Sequence, residues 1–227
     1  MSLSIVIPCL NEEDGISASL DALVAMRARG VEVIVVDGGS TDRTAERARP
    51  GADIVVASAC GRALQMNAGA RRARGDVLLF LHADSRLPPD ADALVESGLA
   101  STRRVWGRFD VTIVGRHAFL PVIAVAMNMR SRLTGIATGD QAIFVQREVF
   151  ERIGGYPAIR LMEDIALTRA LKRESPPLCI ARKVVTSGRR WEKHGVARTI
   201  LLMWRLRLAY TFGADPDELA MRYVPHK

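Results

Sequence analysis

The chain has 227 residues, 48% of them hydrophobic and 25% charged, enough for one large globular domain or a domain with an appendage. No apolar run reaches the ~18 residues expected of a membrane span; the longest, Ala118–Met127, contains Pro121. The net charge of +7 with only 5% aromatic residues disfavours a stacking platform for single-stranded nucleic acid and favours a diphosphate substrate or an anionic membrane surface.

The first predicted element is a β-rich strand over Leu3–Pro8, with Asn11-Glu12-Glu13-Asp14 at its carboxyl end. No basic region precedes the apolar residues and Glu12-Glu13 follow at once, so no signal peptide is expected. The acidic residues suit the first turn of a helix over Asp14–Arg29. Ile16, Leu20, Leu23 and Val24 form its apolar stripe and Gly30 ends it. A second strand, Val31–Val36, closes on Asp37-Gly38-Gly39-Ser40-Thr41-Asp42, where the glycines let a ligand approach the backbone closely. Ser40 or Thr41 can cap a helix that runs through Arg49. Asp53–Ala57 is a third strand and Arg62–Ala73 a helix, with Arg62, Gln65 and Asn67 near its start.

The fourth strand, Asp76–Leu81, holds the unbroken run Val77-Leu78-Leu79-Phe80-Leu81, which suits burial on both faces of a parallel sheet. Strands and helices alternating at this spacing predict an α/β fold with right-handed crossovers. Such sheets bind ligands at the carboxyl ends of their strands. The fourth strand ends there in His82-Ala83-Asp84. In an extended chain His82 and Asp84 point the same way, and an imidazole with a carboxylate can hold a divalent cation and, through it, a diphosphate. The first strand is not followed by a dinucleotide-binding glycine motif, and no P-loop lysine motif is present.

The pattern loosens beyond this point. Pro89–Ala100 reads as helix, Val105–Val114 as an antiparallel strand and His117–Leu133 as an apolar helix. Gly139-Asp140-Gln141 precedes a strand, Ala142–Val145, and a helix over Arg147–Ile153. A turn at Gly154-Gly155-Tyr156-Pro157 leads to a helix opened by Glu163-Asp164 and running to Arg173. Val184–Ser187 reads as a strand ending at Gly188-Arg189-Arg190-Trp191, and Glu192–Phe212 as a last long helix. Cys9, Cys60 and Cys179 are scattered and odd in number, as expected of reduced thiols in a cytosolic protein without a cysteine metal site.

Taken in order, Ile5-Val6-Ile7-Pro8 with Asn11-Glu12, Val35–Asp42, Gly61-Arg62 with Asn67 and Gly69, Phe80–Asp84, Gly139-Asp140-Gln141, Gly154-Gly155-Tyr156, Glu163-Asp164 and Arg190-Trp191 resemble a family 2 glycosyltransferase. The resemblance runs from Leu3 to Trp191 and implies a GT-A fold: a Rossmann-like, mostly parallel sheet flanked by helices, with a mixed, acceptor-side second half. It implies one GT-A domain over residues 1–227, divided into a nucleotide-sugar half (1–100), an acceptor-side half (101–191) and a helical appendage (192–227). On this resemblance Pro8, Asn11, Glu12, Asp37, Gly39, Arg62, Asn67, His82 and Asp84 would bind the nucleotide sugar, with UDP favoured. Asp84 matches the last carboxylate of the family's Asp-x-Asp metal motif, and His82 with Asp84 would hold Mn2+ or Mg2+. Asp164 matches the catalytic base, and Gly139, Asp140, Gln141, Glu163, Arg190 and Trp191 would line the acceptor side.

The expected reaction is transfer of one sugar from a nucleotide-diphosphate donor to an acceptor hydroxyl, with inversion. One positioned carboxylate suffices for a single displacement, whereas retention needs a nucleophilic carboxylate at the anomeric carbon. The acceptor would be a small molecule or lipid-linked, and the protein cytoplasmic, with peripheral contact at the inner face of a membrane through the last helix. Three departures from the family pattern stand out. Asp37-Gly38-Gly39-Ser40 replaces Asp-Asp-Gly-Ser, His82-Ala83-Asp84 replaces Asp-x-Asp, and Ser187-Gly188-Arg189-Arg190-Trp191 keeps only the end of Gln-x-x-Arg-Trp. Together they resemble a bacterial subgroup associated with arsenosugar-type biosynthesis. The competing readings are a nucleotidyltransferase, which would want a basic Gly-rich loop after the first strand, and a non-catalytic module that binds sugar nucleotide or a membrane surface.

Overall fold

The computed structural model describes residues 1–223. Strand β1 (Leu3–Cys9) is followed by helices α1 (Ile16–Asp21) and α2 (Val24–Ala28), β2 (Glu32–Asp37), α3 (Thr44–Ala48), β3 (Ile54–Ala57), α4 (Arg62–Arg72) and β4 (Val77–Phe80). The second half runs β5 (Ser85–Arg86), α5 (Ala91–Ala100), β6 (Trp106–Val114), α6 (Leu120–Thr134), a 3-10 turn (Gly139–Gln141), β7 (Phe144–Gln146) and α7 (Arg147–Arg152). It continues through α8 (Glu163–Glu174), β8 (Leu178–Ser187), α9 (Arg189–His194), α10 (Val196–Thr211) and α11 (Pro216–Tyr223).

The strands form one sheet in the order β3-β2-β1-β4-β7-β6-β8-β5. Strands β1 to β4 are mutually parallel, whereas β7 runs antiparallel to both β4 and β6. The period-two alternation of side chains explains why the parallel strands are apolar throughout. Ile5, Ile7, Val33, Val35, Leu79 and Leu81 face one buried cluster. Val6, Ile34, Val36, Leu78 and Phe80 face another on the opposite side. Helix α4 packs tightly on the second face: a Cβ at Gly69 would overlap Val6 and crowd Val36. The chain progresses from β1 through β2 to β3, then returns to place β4 on the other flank of β1. A topological switch point therefore lies between β1 and β4, where such sheets open a crevice for ligands.

The structure differs from the sequence reading in several places. The helix expected over Asp14–Arg29 is two helices, with a tightened turn at which Leu23 N–H donates to Leu20 C=O (2.9 Å). That tightening suits three-residue spacing and lets Leu20, Leu23 and Met26 all enter the core. Strand β6 is antiparallel to β7, as expected of it, but parallel to β8 on its other side. Strand β8 begins six residues before the predicted Val184, at Leu178. Its early half carries Arg182 and Lys183 opposite an irregularity at Phe109/Asp110, which hides the alternation. The last long helix starts earlier than predicted and breaks at Gly195 (φ 80°) into α9 and α10. Helix α11 was not expected, although Pro216 opens it and Asp217 and Glu218 occupy its first turn.

Candidate active site

The donor side is built at the switch point. Glu12 follows β1 and Asp84 follows β4. The guanidinium Nη2 of Arg189, at the start of α9, lies 3.4 Å from Glu12 Oε2 and 3.7 Å from Asp84 Oδ2. Two carboxylates from neighbouring strands thus face one cation. Beside them the β2 loop is organised by Asp37, whose Oδ2 accepts from the Gly39 (3.2 Å) and Ser40 (3.1 Å) amides while its Oδ1 accepts from the Ser40 hydroxyl. The Cys9 thiol also lies 4.0 Å from Oδ1, so each of the roughly four lone-pair sites of this carboxylate has a neighbouring donor. Ser40 therefore serves this loop and does not cap α3, whose N-cap is Arg43. Asn11 stitches the first two loops together: its backbone N–H donates to Ser40 Oγ (2.9 Å) and its side-chain Oδ1 accepts from Thr41 N–H (2.9 Å). Pro8 is half-buried on β1, opposite Val36. Cys9 lies beneath the loop; burial, then the charges of Asp37, Glu12 and Asp42, push its thiol up to about 12. It is a packed, unreactive thiol.

His82 departs from the expected arrangement. Ser85 N–H donates to His82 C=O (3.0 Å), so residues 82–85 form a turn and not the extended chain that would align His82 with Asp84. The His82 Nδ1 instead lies 3.2 Å from Asp140 Oδ1, and a Cβ at Gly139 would overlap its buried Nε2, which has no hydrogen-bond partner among the described residues. His82 is thus committed to the Gly139–Gln141 turn and is not positioned as a metal ligand with Asp84. Asn67, expected to contact the nucleotide, is engaged with the backbone of another loop. Its Nδ2 donates to Tyr156 C=O (2.8 Å) and its Oδ1 accepts from Tyr156 N–H (3.0 Å), so it fixes the Gly155-Tyr156 turn. Gln141 is buried and caps its own turn. Trp191 packs against the apolar cluster of Ile113, Leu120, Ile123 and Ala124.

On the acceptor side the 3-10 turn meets the start of α8. Gly139 N–H donates to Asp164 Oδ2 (3.0 Å) and Ile165 N–H to Asp164 Oδ1 (2.7 Å), which aims the carboxylate from the positive end of the helix. Its neighbour Glu163 is buried and pairs with Arg62 Nη1 at 3.2 Å. Burial, then the Asp164 charge, raise the Glu163 carboxyl above its usual range against the pull of Arg62. Burial disfavours the Arg62 cation, but Glu163, followed by Tyr223, Asp164 and Asp140, holds it charged. For Asp140, burial is outweighed by His82, Arg62 and Arg190, and its carboxyl is lowered. Asp140 and Glu163 are therefore each matched to a cationic or imidazole partner, while the hydrogen-bond donors to Asp164 are backbone amides.

Three further side chains, Tyr223 and Arg130 in this charged group and Arg189 on the donor side, are not among the site residues expected from the sequence. Tyr223 of α11 lies under the Arg190 guanidinium, 3.7 Å from ring centroid to Cζ. Arg130 of α6 has Nε and Nη2 buried without partners among the described residues; burial lowers its pKa while Asp164 opposes the shift. Arg189 carried a signal, its adjacency to Arg190-Trp191. Tyr223 carried none, because only the return of α11 brings it here.

Gly139 touches both His82 and Asp164, so Gly139→Ala is expected to force the imidazole aside and misdirect the carboxylate. Overpacking of this kind costs about 1–3 kcal/mol, to be read as a lower thermal midpoint. Turnover should fall at least about tenfold through misorientation.

Among the described residues no group of three or more His, Cys, Asp and Glu side chains converges as a metal site. Asp84 and Glu12 nonetheless fit a divalent ion of the kind held by one or two carboxylates that takes its remaining ligands from substrate phosphates and water. They already face a common cation.

Comparison with known proteins agrees with this architecture. The Glycosyl transferase family 2 profile matches residues 4–158. An uncharacterized glycosyltransferase of Mycobacterium bovis is 37% identical over 178 residues, covering 73% of this chain and 79% of that protein. S. aureus TarS, solved with UDP-GlcNAc, superposes with a TM-score of 0.67 at 18% identity over 82% of this chain and 58% of that one. The mannosyltransferase PcManGT of Pyrobaculum calidifontis, solved with GDP-Man and Mn2+, gives 0.65 at 23% identity over 91% and 60%. The chain thus spans about three fifths of each of these two solved structures. The sheet with its switch point is the GT-A fold, and with the family profile across most of its length the chain belongs to the family 2 glycosyltransferases.

Proposed function

We propose that the chain moves one sugar from a nucleotide-diphosphate donor, UDP-linked by preference, to an acceptor hydroxyl with inversion at the anomeric carbon, assisted by Mn2+ or Mg2+. The observation that carries this reading is the meeting of two unlike sites across the 82–85 turn. On one side Glu12 and Asp84 look at a shared cation; on the other Asp164 is aimed by two backbone amides. The loops after β1 and β2 would receive the nucleotide, with Asp37 and Gly39 toward a base or ribose. A divalent ion on Asp84 and Glu12 would supply charge neutralisation for the departing diphosphate. Arg189, held between the same carboxylates, is placed to turn to the phosphates once the donor arrives. Asp164 would accept the acceptor proton as the hydroxyl attacks. Among the described residues, the carboxylates beside Asp164 (Asp140 and Glu163) are already matched to His82 and Arg62, which favours a single displacement over a double one.

A panel of UDP- and GDP-sugars assayed with Mn2+ tests the reading. Metal-dependent release of nucleoside diphosphate, with an inverted anomeric configuration in the product by NMR, is the expected result. Retained configuration, or pyrophosphate release from a nucleoside triphosphate and a sugar phosphate, would overturn it. Donor binding without any turnover on small-molecule or lipid-linked acceptors would favour the non-catalytic module.

A further inference from the structure

Helices α6 and α10 pack together through Ile123, Ala124, Met127, Val196 and Ile200. Each turns a row of large apolar side chains outward. On α6 the row is Val122, Val125, Met129 and Leu133, led by Phe119 at the N-cap; on α10 it is Leu201, Trp204 and Leu208, with Phe212 at the C-cap. Leu133 and Phe212 are 82% exposed and Trp204 73%. Single exposed apolar residues are ordinary, but rows on two adjacent helices mark an interaction surface. We propose that these two rows form one docking face that lies on an anionic lipid bilayer.

Charge selects this occupant. Neither helix contains an acidic residue; of their arginines, Arg130 is turned inward toward the charged group, Arg132 pairs with Asp110 and Arg207 is partly buried, which leaves Arg198 and Arg205 as the outward cations of α10. Arg198 and Arg205 are exposed beside the α10 row, and Arg116 is exposed just before α6. Arginines flanking an apolar stripe sink their stems and meet lipid phosphates with their heads, and an exposed tryptophan suits the headgroup boundary. A second copy of this chain fits less well, because a symmetric contact would bring the same arginines face to face. No helix among the described residues is long and apolar enough to cross a membrane, so the contact would be peripheral. The face is joined to the catalytic groups at both ends. Helix α6 leads into the Gly139 turn that aims Asp164, and α10 follows the helix that carries Arg189 and Arg190. Docking would therefore hold the acceptor side at headgroup level, where a lipid-linked acceptor presents its hydroxyl. That consequence rests on the proposed reaction; the binding does not.

Co-sedimentation with phosphatidylcholine vesicles, with and without phosphatidylglycerol, tests the face without any sugar transfer. Binding is expected to need the anionic lipid and to weaken with salt. The pair Trp204→Gln/Leu208→Gln, and separately Arg198→Glu/Arg205→Glu, should each lower it about tenfold or more. All four positions are exposed, and unchanged melting curves would confirm intact folds. Tryptophan emission should shift to the blue on anionic vesicles, and Trp204→Phe should remove that shift. Wild-type protein that stays in the supernatant with anionic vesicles at low salt would overturn the proposal. So would undiminished binding in the α10 variants, or a solution dimer that the Trp204→Gln/Leu208→Gln pair dissociates.

Discussion

Asp164→Asn is expected to lower turnover by about 10²–10⁴-fold, the range that a positioned general base supplies, with donor affinity little changed. The reason lies in what holds the side chain. Its two oxygens accept from Gly139 N–H and Ile165 N–H, so the carboxylate is fixed by backbone donors and, among the described residues, without an ion pair of its own. An amide keeps the shape and one acceptor oxygen but cannot take the acceptor proton. It also turns an NH2 toward one of those backbone donors, which costs about 1 kcal/mol of stability. Thermal melts should therefore show a modest loss, far smaller than the kinetic effect. A base needed only as the acceptor attacks affects kcat and kcat/KM together and leaves the donor Kd alone. Donor binding that fell in step with turnover would place Asp164 in the nucleotide pocket and remove it from the proton transfer.

The first half of the fold was legible because burial on both faces writes continuous apolar strands, and because Gly30 and Gly75 close helices between them. The second half was less legible where strand order departs from chain order. Leu178–Lys183 of β8 reads as mixed because its partner β6 is irregular at Phe109/Asp110, and a strand of that kind shows no clean period. The motif positions fall in loops at the strand ends, but their spacing does not give the direction of each side chain. His82 and Asp84 are two residues apart, and only the turn shows that one imidazole belongs to Asp140. Asn67 was legible as an important polar residue on a helix start, but its partner is a backbone turn 89 residues away. Arg130 and Tyr223 could not be found locally at all. Each comes from an element whose own pattern says only helix; that Arg130 lies within the field of Asp164, and Tyr223 under Arg190, is a matter of tertiary packing.

Asp84→Asn is expected to abolish the Mn2+-dependent part of donor binding while the fold stays intact. The Asp84 side chain is 30% accessible, and its contacts are Arg189 at 3.7 Å and the Ser85 hydroxyl at 3.5 Å. No core group depends on it, so stability should move by no more than about 0.5 kcal/mol, as for ordinary surface changes. Loss of groups that merely orient metal ligands lowers metal affinity about 10–100-fold; removal of a direct carboxylate ligand should do at least as much. Isothermal titration of a sugar nucleotide with and without Mn2+ reads the effect directly, without any acceptor or turnover. The substitution also separates two ways of meeting the diphosphate charge. If Arg189 alone neutralised it, relieving the guanidinium of one carboxylate would free it for the phosphates. Donor affinity would then hold or rise in Asp84→Asn, and Arg189→Ala would weaken it with or without metal. If the cation is held by Asp84 and Glu12, affinity falls in Asp84→Asn only when Mn2+ is present, and it converges on the metal-free value of the wild type. Undiminished Mn2+ dependence in this variant would take the ion away from Asp84 and leave the diphosphate to the arginine.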